Sequence, residues 1–341
     1  MNTLNLRGVA LWLLAAGLLS PVYAQETVTL RFADWQARSH YTVPNMAEPF
    51  MEKATELSDG RIQFEYFPGE QLGKGKDALS LLQSNVADVA NVSPAYISDK
   101  FSLSSVAELP AMFSTACEGS NALMDVATSN GALAEHEFGP LGIRVLAGAT
   151  YAPYKIITVD QMVDEVSDMK GLKLRTAGGA MDMTARQVDA VSVRMPGPDV
   201  LSSLSRGTLD GALWPLLSVE PFDLQTELNH MTTDVSMGSF VTVYAISDAT
   251  WEKLDDATRE ILVEAGEYAS QNHCEYVDTA EQDVIARLEG KGMAPNTMKD
   301  GELDALREKL SAVQVNWAET LDERGQPGTE VLNAFQAALG E

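Results

Sequence analysis

TVTLRFAD (Thr27–Asp34), RIQFEYF (Arg61–Phe67) and ADVANV (Ala87–Val92) are short stretches rich in β-formers. The first two alternate apolar and polar side chains and the third is a short apolar run, so each reads as a strand. Between the first two, Pro44–Leu57 places Met46, Phe50, Ala54 and Leu57 at helical spacing, and Lys76–Gln83 reads as a second helix. Strand, helix, strand, helix, strand is the order of an α/β domain whose sheet is covered on both faces. In such sheets ligands meet the loops at the carboxyl ends of the strands.

The pattern then repeats. Gly119–Glu137 reads as a helix and Ile143–Ala147 as a strand, followed by strands at Lys155–Val159, Leu172–Arg175, Ser192–Arg194 and Gly211–Trp214. Helices are expected at Met181–Val188 and Pro198–Leu204. Two α/β lobes of this kind need crossovers, and Gly148–Tyr154 and Asp234–Val243 suit that role. Downstream, Asp255 or Asp256 caps a helix running to about Leu288, with apolar positions from Ile261 through Val277 to Val284. Roughly 33 residues at 1.5 Å each give about 50 Å, enough to brace both lobes; two helices broken near Gln271–His273 are the alternative. The expected organisation is a signal peptide at residues 1–24, lobe I at 25–149 and 234–250, lobe II at 150–233 and 290–341, and the bracing helix at 251–289.

The 341 residues carry 24 Lys plus Arg against 49 Asp plus Glu, a formal net charge of −25. That balance argues against a binder of nucleic-acid phosphates and against a protein held to anionic lipid by a basic patch. Gly8–Leu19 is an uninterrupted apolar run after Arg7, with a cleavage signal ending at Ala24, which reads as export. It is shorter than the roughly 20 residues a membrane helix needs, so no direct membrane anchor is expected. Cys117 and Cys274 then lie in a compartment where a disulfide persists; they are either bridged or two small buried hydrophobes. The four His are scattered without ligand spacing, so no metal site is expected. No phosphate loop, Gly-x-Ser-x-Gly elbow, His-Glu-x-x-His or dinucleotide fingerprint is present, which argues against an exported enzyme.

Several short motifs carry a family resemblance. PGEQLG (Pro68–Gly73), LLQSNVADV (Leu81–Val89), ELPAMF (Glu108–Phe113), MKGLKLR (Met169–Arg175) and LSRGTLDG (Leu204–Gly211) resemble, in order, the DctP-type substrate-binding proteins of TRAP transporters. The resemblance implies a two-lobed, type II-like periplasmic binding protein that closes on a small organic acid or zwitterion and delivers it to a sodium-coupled membrane permease. It implies no reaction and no cofactor. A monomer in the periplasm is expected.

The resemblance makes Arg175 the residue that holds a carboxylate, since a guanidinium presents paired donors to both oxygens. A salt bridge between lobes is the competing role. Where many relatives carry Glu-Asn-Pro after the Asp-Gly pair, this chain has Ala212-Leu213-Trp214-Pro215, so an indole takes the place of a polar contact. Trp214 therefore points to a solute with an apolar part or a cation. Trp35, Tyr151, Tyr154 and Phe240, with Asn91 and Ser93 at the end of the third strand, complete the expected site. A second reading uses Asp34, Asp199 and Glu220 with these aromatics as a cage for a small amine.

Overall fold

The computed structural model describes residues 27–128 and 130–340. The signal-peptide reading falls on residues 1–24, outside the described part. Among the described residues, no helix is long and apolar enough to cross a membrane.

Eleven strands, β1 (Val28–Ala33), β2 (Ile62–Phe67), β3 (Val89–Val92), β4 (Ile143–Thr150), β5 (Lys155–Thr158), β6 (Lys173–Thr176), β7 (Val191–Arg194), β8 (Gly211–Trp214), β9 (His230–Thr232), β10 (Val241–Ser247) and β11 (Ala294–Asn296), form two sheets among the described residues. The first has the order β2-β1-β3-β10-β4 and the second β11-β9-β5-β8-β6-β7. β1 runs parallel to β2 and β3, whereas β10 is antiparallel to both β3 and β4. The chain thus leaves the first sheet after β4, returns to it at β10, and reaches the second sheet again at β11. The molecule is an α/β protein of two lobes with a cleft between them.

Among the described residues nine α-helices flank the sheets: α1 (Glu48–Leu57), α2 (Ala78–Gln83), α3 (Ala116–Ala127), α4 (Ala180–Gln187), α5 (Val200–Ser205), α6 (Asp248–Trp251), α7 (Asp256–Glu289), α8 (Glu302–Glu323) and α9 (Gly328–Leu339). The helix expected over Gly119–Glu137 is shorter: α3 stops at Ala127, where Thr128 adopts extended backbone and its carbonyl accepts a turn bond from Gly131. Thr115 and Glu118 form a capping box at its start.

α7 is unbroken over 34 residues, about 50 Å at 1.5 Å each. Asp255 caps it, accepting from the Thr258 N–H at 2.7 Å. It packs on β4, α1 and α3 and also contacts β11. Gly266 permits the close approach, because a Cβ there would collide with the Leu146 carbonyl oxygen. Leu262, Ala265 and Ala269 of α7 join Phe32, Phe50 and Tyr244 in one apolar cluster. α9 packs on α3, on the first-lobe side, although the sequence reading groups residues 290–341 with lobe II.

Cys117 of α3 and Cys274 of α7 form a disulfide. Asp278, one turn beyond Cys274, accepts from the N–H groups of Ala116 and Cys117 at 2.6 and 3.2 Å. A covalent and an electrostatic tie therefore meet at the N-terminus of α3, where a carboxylate also complements the helix dipole.

Candidate functional site

The loops at the carboxyl ends of β1, β3, β6 and β8 converge with the two crossovers. The loop after β1 is pinned by Asp34, whose carboxylate accepts from the Gln36 N–H (2.9 Å), the Asn91 side-chain amide (2.8 Å) and the Tyr66 hydroxyl (2.9 Å). Burial raises its pKa to about 6 despite these bonds. Gly69 N–H donates to the Gln36 carbonyl at 2.7 Å and fixes the next turn. Trp35 and Gln36 are thereby held facing the second lobe.

Arg175, on β6 between β8 and the edge strand β7, is 1% exposed. Its Nε donates to the Met195 carbonyl at 3.0 Å, and its guanidinium carbon lies 4.5 Å from the centroid of Trp214. Nη1 is buried with no partner. Among the described residues Arg175 makes no ion pair, so the interlobe salt bridge is not its role. The Trp214 indole faces the protein's own cation, which corrects the expectation of a solute cation there.

Trp35, Tyr151, Tyr154, Phe240, Trp214 and Arg175 all line the cleft. So do Gln36, His40, Tyr96, Ser218 and Phe222. Aromatic edges interlock across it: Trp35 and Tyr96 at 5.2 Å, Tyr151 and Phe240 at 5.3 Å, Trp214 and Phe222 at 5.3 Å between centroids. His40 Nδ1 lies 2.7 Å from Thr42 Oγ1 and Nε2 lies 3.4 Å from Ser218 Oγ, the direction of each bond following the ring's tautomer. Burial pushes the His40 pKa down to about 3 and keeps the ring neutral.

Asn91 and Ser93 do not line this cleft. The Asn91 amide is taken up by Asp34 and by the Thr242 hydroxyl, and Ser93 is fully buried beside it. The acidic cage does not form either. Asp34 is bound as above, Asp199 is exposed, and Glu220 pairs with Arg287 (3.2 Å) and Lys291 (2.6 Å) at the end of α7. Among the described residues no carboxylate lines the cleft, which leaves one positive charge in an aromatic box.

The lobes meet directly. Arg194 Nη2 donates to the Ala95 carbonyl at 3.0 Å and Gly197 N–H to the Tyr96 hydroxyl at 2.9 Å. The cleft holds about 240 Å³ of space between atoms, of which about 10 Å³ is wide enough for water, roughly one molecule's worth. This is a closed conformation, and a solute enters as the lobes part. A larger cavity of about 710 Å³ lies between α3, β4 and α7, but Asp125, Asp248 and Glu267 against Arg144 make it a poor seat for an anion.

Residues 33–320 match the family described as bacterial extracellular solute-binding protein, family 7 (DctP). Solved structures share the fold. A TRAP solute-binding protein from Rhodoferax ferrireducens with copurified benzoate is 24% identical, with a TM-score of 0.84 over 92% of this chain and 98% of that one. One from Bordetella bronchiseptica with bound (R)- and (S)-mandelate is 24% identical, with a TM-score of 0.81 over 92% and 99%. A marine metagenome protein specific for aromatic acid ligands, complexed with 3-hydroxybenzoate, is 22% identical, with a TM-score of 0.84 over 93% and 99%.

Proposed function

Because the chain belongs to the DctP family of bacterial extracellular solute-binding proteins, the solute receptors of TRAP transporters, we propose that it captures a small aromatic monocarboxylate between its lobes and hands it to a sodium-coupled membrane permease. The family consists of extracytoplasmic receptors and not of enzymes. One observation carries the ligand class: Arg175 is buried in an aromatic-walled cleft with a free Nη1 and no protein carboxylate to pair with. A buried unpaired charge is costly, and a solute carboxylate supplies the missing partner. The aromatic walls then favour a flat apolar body. Benzoate, mandelate and 3-hydroxybenzoate in proteins of the same fold support this choice over an amine.

A thermal-shift screen of aromatic acids, sugar acids, aliphatic dicarboxylates and amines tests it. A solute at 100 times its Kd adds about 2.7 kcal/mol of stability. Aromatic monocarboxylates are expected to raise the melting temperature most. Stabilisation by amines or dicarboxylates alone would contradict the reading.

A further inference from the structure

The hydrogen-bonding atoms facing the cleft do not balance. Arg175 Nη1, Trp35 Nε1 and Trp214 Nε1 are buried donors without acceptors. A carboxylate offers about four lone-pair sites on its two oxygens and is able to accept from all three. Gln36 Oε1 is different, because it is a buried acceptor without a donor. An ionised carboxylate has no proton to give it.

Gln36 cannot turn to another partner. Its Nε2 donates to the Tyr151 hydroxyl at 2.8 Å, its backbone N–H is held by Asp34, and its backbone carbonyl by Gly69. The residue is 1% exposed, so water does not satisfy it from outside. Leaving such an atom unmet costs about 1–3 kcal/mol.

We propose that the solute carries a hydroxyl in addition to its carboxylate, and that Gln36 binds this hydroxyl and selects hydroxylated aromatic acids over their unsubstituted parents. The proposal rests on the aromatic-acid reading above and sharpens it. A solute hydroxyl donates to Oε1 while Nε2 stays on Tyr151, the orientation in which the Gln36 amide stands. An ether oxygen offers no proton to Oε1. The aromatic walls exclude a strongly hydrated, many-hydroxyl solute, for which one acceptor would be too few.

The test is calorimetric titration of the full mature chain with benzoate, the three hydroxybenzoates and 3-methoxybenzoate, and with phenylacetate against mandelate. At least one hydroxy acid is expected to bind about tenfold or more tightly than its parent, and 3-methoxybenzoate no better than benzoate. In Gln36→Leu the preference, taken as the ratio of hydroxy-acid to parent affinity within the variant itself, should fall below about threefold. Benzoate binding with no gain from a hydroxyl at any position overturns the proposal and leaves the aromatic-acid reading intact. Preference that survives in a folded Gln36→Leu protein also overturns it. Binding by no aromatic acid overturns both readings. The wild-type comparison stands even where the variant does not fold.

Discussion

The guanidinium of Arg175 lies over the indole of Trp214, 4.5 Å from the ring centroid, on the neighbouring strands β6 and β8. The stack fixes the plane of the guanidinium while Nε is held by Met195, leaving Nη1 to face the cleft. An indole at this position therefore acts on the solute through the arginine as well as through its own unpartnered Nε1. Cation–π contact is worth about 0.5–2 kcal/mol. Trp214→Ala should weaken every carboxylate roughly 2- to 30-fold, whereas Trp214→Phe, which keeps the stack but lacks the unpartnered Nε1 donor, should lose less. Calorimetry checks this; a loss confined to one ring type would show that the indole reads the solute itself.

Closure brings backbone against backbone. Gly178 has φ +115°, and a Cβ there would lie 2.5 Å from the Ala95 carbonyl oxygen, the same atom that accepts from Arg194. Gly178→Ala should obstruct the closed form and lower solute affinity by about tenfold or more, the equivalent of about 1.4 kcal/mol. In solution scattering the wild type should contract on saturation with solute, and this variant should not. Equal contraction would refute the steric account.

Glu108 is fully buried with both carboxylate oxygens unpartnered, and a Cβ on Gly179 at the start of α4 would lie 2.7 Å from it. Burial raises its pKa to about 8, with Asp182 and Glu137 adding to the rise, and the Val241 N–H and Arg194 offset it only in part. A carboxyl whose folded pKa is raised holds its proton in the native state after the unfolded chain has lost its own. Its contribution to stability is full below about pH 4.5 and is lost as pH rises through about 8. Glu108→Gln removes this dependence. The melting temperature of the variant should gain on that of the wild type as pH rises from 5.5 to 9. Melting curves that stay parallel over that range would contradict the assignment. Asp34 and Glu281, also raised by burial, act in the same sense in both proteins and cancel in the comparison, whereas Glu137, which repels Glu108, is relieved of that repulsion in the variant and adds to the same trend.

The disulfide closes a span of 157 residues, for which loop-closure entropy gives about 5 kcal/mol. Neither cysteine lines the cleft. The double variant Cys117→Ala, Cys274→Ala should melt several degrees lower and bind solute with unchanged affinity. A large loss of affinity would mean that the tie between α3 and α7 also sets the closed geometry.

The lobes were legible because β1, β2 and β3 alternate or run apolar over short lengths, and α7 because its capping Asp and apolar spacing persist past any small domain's width. Gly119–Glu137 misled because its apolar residues continue past a turn at Thr128–Gly131. Arg175 and Trp214 could be read through the resemblance, from MKGLKLR and from the departure at Ala212-Leu213-Trp214-Pro215. Asn91 lies near the end of β3, but its amide is consumed by Asp34, a contact across 57 residues that spacing does not show. Gln36, Tyr96, Ser218 and Phe222 went unread because they meet only when the lobes close. The pair Pro94-Ala95-Tyr96 and Trp35-Gln36, each just beyond a strand of the first sheet, was the available signal.

The central claim is that Arg175 holds the carboxylate of the solute. Removing one partner of a buried charge pair costs about 2–5 kcal/mol, which is roughly 30-fold to several thousandfold in affinity. Titration calorimetry of Arg175→Ala against the wild type, with the aromatic acid that stabilises the wild type most, should show a loss within that range. Unchanged affinity in the folded variant would contradict it.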